Sequence, residues 1–106
     1  MLTDEYRYKI LKHLQDDPKI SQRELARALG ISLGRANYCL QALIEKGLIK
    51  ADNFKSSKNK KAYAYLLTRR GIAEKARAMM RFLQAKMVEY EALQREIEVL
   101  RNEANL

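Results

Sequence analysis

The stretch ISQRELARALGISLGRANYCLQALIEKG, residues 20–47, contains two helix starts and two helix stops. Ser21 stands where a side-chain oxygen can accept from the backbone N–H three residues on, and Glu24 stands where its carboxylate can reach back to the Ser21 N–H. Ile20 and Leu25 occupy the staple positions around that start, and Gly30 supplies the left-handed residue that ends a helix. Only Ile31 and Ser32 intervene before a second periodic run, with Ser32 as its N-cap and Gly47 as its stop. Two helices joined by so tight a turn, the first of them short, predict a helix-turn-helix.

Within the second helix of this pair, Ala36, Leu40, Leu43 and Ile44 recur at helical spacing and are expected in the core, with Cys39 beside them. Arg35, Asn37, Tyr38, Gln41 and Glu45 are then left outward. Arginine pairs with guanine, and asparagine or glutamine with adenine, so all of this set but Glu45 suits base edges and phosphates. Any surface helix carries polar groups, and a merely solvated face is the bland alternative. Position favours the functional reading, because these residues lie towards the N-terminal half of the helix that enters the major groove in such motifs. Ser21, Gln22 and Ser32, at helix N-termini, are candidate phosphate donors.

On the N-terminal side, Tyr6, Ile10, Leu11 and Leu14 define a preceding helix, with Thr3 placed to cap it and "DDP" at 16–18 placed to end it. On the C-terminal side the period changes. "LIKADNF" (48–54) and "KAYAYLLT" (61–68) are two candidate strands separated by "KSSKNK", a composition suited to an exposed hairpin loop. Tyr63 and Tyr65 share one face of the second strand, and Ala62, Ala64 and Leu66 the other. Lys55, Lys58, Lys60 and Lys61 fall near the tip.

The net charge of +8 is concentrated there. Residues 1–49 hold eight basic and six acidic groups, residues 50–70 hold seven and one, and residues 71–106 hold six of each. So local a surplus steers a protein to polyanions. An anionic membrane would call for a basic amphipathic helix rather than a basic hairpin, and ranks last. The start "LTDEYRYKILKHLQ" has neither the basic opening nor the apolar run of a signal peptide, so a cytoplasmic, nucleoid-associated protein is expected. One cysteine and one histidine cannot build a disulfide or the usual structural zinc site, and neither metal nor cofactor is expected. His13 stands alone, no Gly-rich phosphate loop occurs and no acid, base and nucleophile set is visible, so no enzyme is expected. Cys39, on an inward face, is expected to pack rather than to sense oxidants.

Beyond residue 70, Ile72, Ala76, Met79, Leu83, Lys86, Tyr90, Leu93, Ile97, Leu100 and Ala104 are spaced alternately by four and three, a heptad seam broken only by Lys86. A helix over 72–104 would be roughly 50 Å long, too long to pack fully on so small a body, so a partner helix is expected. Met80, Phe82, Met87 and Val88 widen the stripe in its first half, which is expected to touch body and partner together. Glu96 and Arg101 suit parallel strands, Glu91 and Arg95 compete within one helix, and the orientation stays open.

The order helix, helix-turn-helix, hairpin, long helix is that of a winged helix. "LIEKGLI" before the hairpin and "YLLTRRG" after it resemble the segments that bracket the wing in MarR-type transcriptional regulators. The opening "LTDEYRYKILKHL", with "SQRELARALGISLGRANYCLQALIEKG" and "NFKSSKNKKAYAYLLT", resembles the MarR-family regulators associated with exopolysaccharide gene clusters, over nearly the whole chain. The wing departs from the broad family pattern of an Asp and an Arg, since "KSSKNKK" carries no acid. The expected fold is mainly α with a small β-hairpin: a winged helix-turn-helix DNA-binding domain over 1–70, then a coiled-coil dimerisation helix over 71–106 using Ile72, Met79, Leu83, Tyr90, Leu93, Ile97 and Leu100. The resemblance implies a homodimeric regulator of exopolysaccharide-related genes that binds double-stranded DNA. Twofold symmetry makes a palindromic operator the expected target, with half-sites roughly 34 Å apart. Whether a small-molecule effector is sensed is not legible. The rival readings are a protein-interaction adaptor, and a basic protein that coats nucleic acid without sequence preference.

Overall fold

The computed structural model describes residues 2–53 and 63–105. Four helices and one antiparallel hairpin follow in the order α1 (Asp4–Asp16), α2 (Gln22–Leu29), α3 (Leu33–Glu45), β1 (Ile49–Asn53), β2 (Tyr63–Leu67) and α4 (Arg69–Ala104). Each of the first three helices starts on the cap expected of it: Thr3, Ser21 and Ser32 accept from the backbone N–H of Tyr6, Glu24 and Arg35. Gly30 (φ 68°) and Gly47 (φ 70°) take the left-handed conformation that ends α2 and α3. One local detail differs from expectation. The Glu24 carboxylate accepts from the Ser21 hydroxyl (3.0 Å) instead of reaching back to the Ser21 N–H, because the hydroxyl proton, not used in accepting from Glu24 N, offers a donor nearer to hand.

The core is built from Ile10, Leu11 and Leu14 of α1, Leu25 of α2, Cys39, Leu40 and Leu43 of α3, and Leu48, Ile49 and Tyr65 of the hairpin arms. Tyr65 turns inward with Leu67, on the core side of β2, while Leu66 points out. The hairpin pairs Ile49 with Leu67 and Ala51 with Tyr65. Its base is also tied to the turn after α1, since the Tyr65 N–H donates to the Pro18 carbonyl at 2.9 Å.

Thr68 and Gly71 set the exit of the chain into α4. The Thr68 hydroxyl accepts from Gly71 N (3.1 Å) and donates to the Gly47 carbonyl (2.6 Å), and Thr68 N donates to the Leu48 carbonyl (3.0 Å). Gly71 lies so close to Leu48 that an added Cβ would stand 2.0 Å from the Leu48 carbonyl oxygen. The first turns of α4 then pack along α1, with Gly71 and Ala78 buried and the Phe82 ring 6.2 Å from that of Tyr8.

A charged cluster fixes the same contact. Glu74 faces Arg7 (3.5 Å), Arg77 (3.2 Å) and Arg81 (2.6 Å), and Arg81 also reaches Asp4 (3.0 Å). Partial burial works to raise the Glu74 pKa, but the guanidinium hydrogen bonds of Arg81 and Arg77 prevail and hold it below the ordinary carboxylate value. Past these turns α4 runs on alone, and the molecule is 69 Å long in a body otherwise 27 × 22 Å. Of the added apolar residues in its first half, Phe82 meets the body as expected, whereas Met80, Met87 and Val88 are exposed. Among the described residues no helix is long and apolar enough to cross a membrane, and no group of three potential metal ligands occurs.

Candidate nucleic-acid interface

α3 buries Ala36, Cys39, Leu40 and Leu43 against the core and leaves Arg35, Asn37, Tyr38 and Gln41 exposed, as its periodicity requires. The side chains of Asn37 and Gln41 make no hydrogen bond among the described residues, and Tyr38 is 61% exposed, so three of the four outward side chains can meet a ligand. Arg35 is the exception: its guanidinium lies over the Tyr6 ring of α1, 5.7 Å from the centroid. An exposed contact of this kind contributes about 0.5–1 kcal/mol. A bidentate pairing with guanine discriminates by about 1–3 kcal/mol, so the ring can release Arg35 to such a ligand.

The three N-terminal candidates are less free than the outward face. Ser21 donates to Glu24 and accepts from its backbone N–H, and the Gln22 side-chain amide donates to the Tyr65 hydroxyl at 3.0 Å. Gln22 therefore fixes the hairpin base to α2. Ser32 uses one lone pair on Arg35 N and is otherwise exposed at the head of α3. Arg23, exposed in the first turn of α2, adds a cation at this edge that a reading of α3's outward face omits; its signal was its place two residues after the N-cap. Lys55, Lys58, Lys60 and Lys61 of the wing lie outside the described residues.

Cys39 is buried, and burial pushes its thiol pKa up, with the Arg35 charge opposing only in part. A thiol reagent at neutral pH should therefore leave Cys39 unmodified in the folded protein and modify it fully once denaturant is added. Labelling of the native protein at the rate of a free thiol would show that α3 opens.

The dimerisation candidates are all exposed on α4: Ile72, Met79, Leu83, Tyr90, Leu93, Ile97 and Leu100. They run down one side, about a quarter-turn from the side that Gly71, Ala78 and Phe82 present to the body. The body and the seam thus use different faces of one helix.

Residues 3–50 match the family described as winged helix-turn-helix DNA-binding. No curated protein matches the chain. Among solved structures, the PcaV transcriptional regulator from Streptomyces coelicolor is similar with a TM-score of 0.67 at 18% identity, over 93% of this chain and 75% of that one. Wild-type MarR from E. coli is similar with a TM-score of 0.59 at 23% identity, over 70% of this chain and 53% of that one. The chain thus spans about half the length of that regulator. The transcriptional repressor CouR, solved on a 23-mer DNA duplex, is similar with a TM-score of 0.59 at 23% identity, over 92% of this chain and 71% of that one. Likeness at such identity speaks to architecture, and with the match over 3–50 it makes the chain a winged helix-turn-helix, the fold with which the matched family binds DNA.

Proposed function

We propose that the chain is a MarR-type transcriptional regulator that binds duplex DNA sequence-specifically as a homodimer, with residues 1–70 reading the duplex and residues 71–106 pairing. One observation carries this reading: the second helix of the pair presents Asn37, Tyr38 and Gln41 exposed, with Arg35 beside them. α3 enters the major groove, where these four side chains meet bases or adjacent phosphates. Ser32 and, at the start of α2, the backbone N–H groups of Ser21 and Gln22 meet duplex phosphates, since the Ser21 and Gln22 side chains are engaged on Glu24 and Tyr65, and the wing lysines hold flanking phosphates. The target is a palindrome, and the regulated genes belong to exopolysaccharide production, an assignment that rests on the sequence resemblance alone. The protein acts in the cytoplasm on the nucleoid.

Selection of bound duplexes from a random library tests this reading, with inverted symmetry expected among the winners. A pool without sequence preference would favour the coating protein instead. Single substitutions separate the roles. Arg35→Ala or Gln41→Ala should lower affinity for the selected duplex by about 5–150-fold and relax discrimination at one position, with random duplex little affected. Lys60→Ala should weaken every duplex alike and lower the salt slope by about one. Altered discrimination with unchanged general affinity in Lys60→Ala would refute this division, as measured by gel shifts at two salt concentrations.

A further inference from the structure

We infer that two copies of α4 pair antiparallel and in full overlap, an arrangement that rests on the homodimer proposed above. α4 is electrically polarised along its length. Residues 71–88 carry Lys75, Arg77, Arg81 and Lys86 against Glu74, a surplus of three positive charges. Residues 89–104 carry five glutamates against Arg95 and Arg101, a surplus of three negative charges. Parallel strands set like half on like half throughout; antiparallel strands set each positive half on a negative one.

Lys86 sharpens the choice. It interrupts the apolar seam, and its side chain is 53% exposed. In-register parallel pairing places the two Lys86 ammoniums in one layer, each bonded to its own Glu89 at 3.1 Å and 5.4 Å from its own Phe82 ring centroid, so the cost of that layer is chiefly the removal of both groups from water. Antiparallel pairing never opposes a seam position to itself in this way. With Ile72 against the partner's Ala104, every seam residue acquires a counterpart: Met79 meets the partner's Ile97, Leu83 the partner's Leu93, and Lys86 the partner's Tyr90. That last layer joins an ammonium on a flexible aliphatic stem to an aromatic ring, a favourable pairing. One like-charge approach remains, that of Glu89 about the dyad, and each Glu89 is already paired with its own Lys86 at 3.1 Å. The Glu96 and Arg101 pairing that favours parallel strands is a single solvent-exposed rim contact, and exposed pairs contribute little.

The spacing is consistent with the same arrangement. Each body is clamped to its own α4 between Gly71 and Phe82, while the dyad of the full-overlap register falls near residue 88. At 1.5 Å per residue the bodies then sit about 35 Å apart along the tails, near one turn of duplex.

A spin label on Asn102→Cys, an exposed position off the seam, reads the orientation in the full chain, since buried Cys39 stays unlabelled. The expected label-to-label distance is about 40 Å for antiparallel strands and roughly 20 Å for parallel ones. A dimer with the short distance would overturn the antiparallel arrangement and leave the proposed function standing. A monomer by sedimentation would overturn the homodimer and this arrangement with it. Salt gives a second reading: between about 0.05 and 0.5 M the dimer dissociation constant should rise several-fold, because added ions screen attraction between unlike halves. A constant that falls over that range would mean that like halves are apposed.

Discussion

Replacing Gly71 by alanine should lower the melting temperature by roughly 15 °C, from a loss of about 3 kcal/mol in a domain of this size. The added Cβ would stand 2.0 Å from the Leu48 carbonyl oxygen and 3.0 Å from its carbon. Both atoms are backbone, so no rotamer change can relieve the overlap; α4 or the segment entering β1 has to move. That segment is held by Thr68, which bonds the Gly47 and Leu48 carbonyls, so the shift would spread into the hairpin base. Helix propensity alone predicts the opposite sign, since alanine in a helix interior is favoured over glycine by about 1 kcal/mol. Gly34→Ala is the control. It lies in α3 with nothing within 4 Å of its added Cβ, and should be neutral or stabilise by up to about 1 kcal/mol. Thermal unfolding followed by helical circular dichroism, at one fixed protein concentration, compares the two. A Gly71→Ala protein that melted at or above the parent temperature would mean that α4 does not press on Leu48.

That glycine also marks where sequence reading stops. The caps at Thr3, Ser21 and Ser32 and the stops at Gly30 and Gly47 were legible because each is a contact within a few residues, whose chemistry is written into adjacent positions. The inward face of α3 was legible for the same reason, through period alone. Gly71 belongs to a bracketing motif in the sequence, but that motif does not say which backbone comes near it. Gln22 is similar: 43 residues separate it from Tyr65, and only the fold turns a candidate phosphate donor into the pin of the hairpin base. The cation–π contact of Arg35 with Tyr6 joins α3 to α1, and the charge cluster around Glu74 joins α4 to α1, so both likewise exist only once those helices pack. The α4 seam was legible as a pattern. Its separation from the body-facing side was not, because that depends on which face α1 takes.

Introducing glutamate at both Leu83 and Leu93 should leave the body folded, abolish the dimer and lower affinity for a palindromic duplex by about 10²–10⁴-fold. The two leucines are 48% and 53% exposed in the single chain, so the core loses nothing when they change. In a pair, the loss falls on four side chains that are half exposed beforehand, each contributing about half of the 1.5–3 kcal/mol of full burial. A loss of about 3–6 kcal/mol is a large part of the roughly 8–12 kcal/mol that holds a micromolar to nanomolar dimer, and repulsion and desolvation of the four new carboxylates add to it. Without the pair, the second head no longer binds at the high effective concentration that a shared tail provides, while each head keeps its own contacts. Random duplex should therefore be weakened much less than the palindrome, and a single half-site hardly at all. Sedimentation, helical circular dichroism and gel shifts on the three duplexes together decide the matter. If the double variant lost its fold, the seam would belong to the core; if it were monomeric yet bound the palindrome as tightly as before, one head would suffice and the tail would serve another purpose.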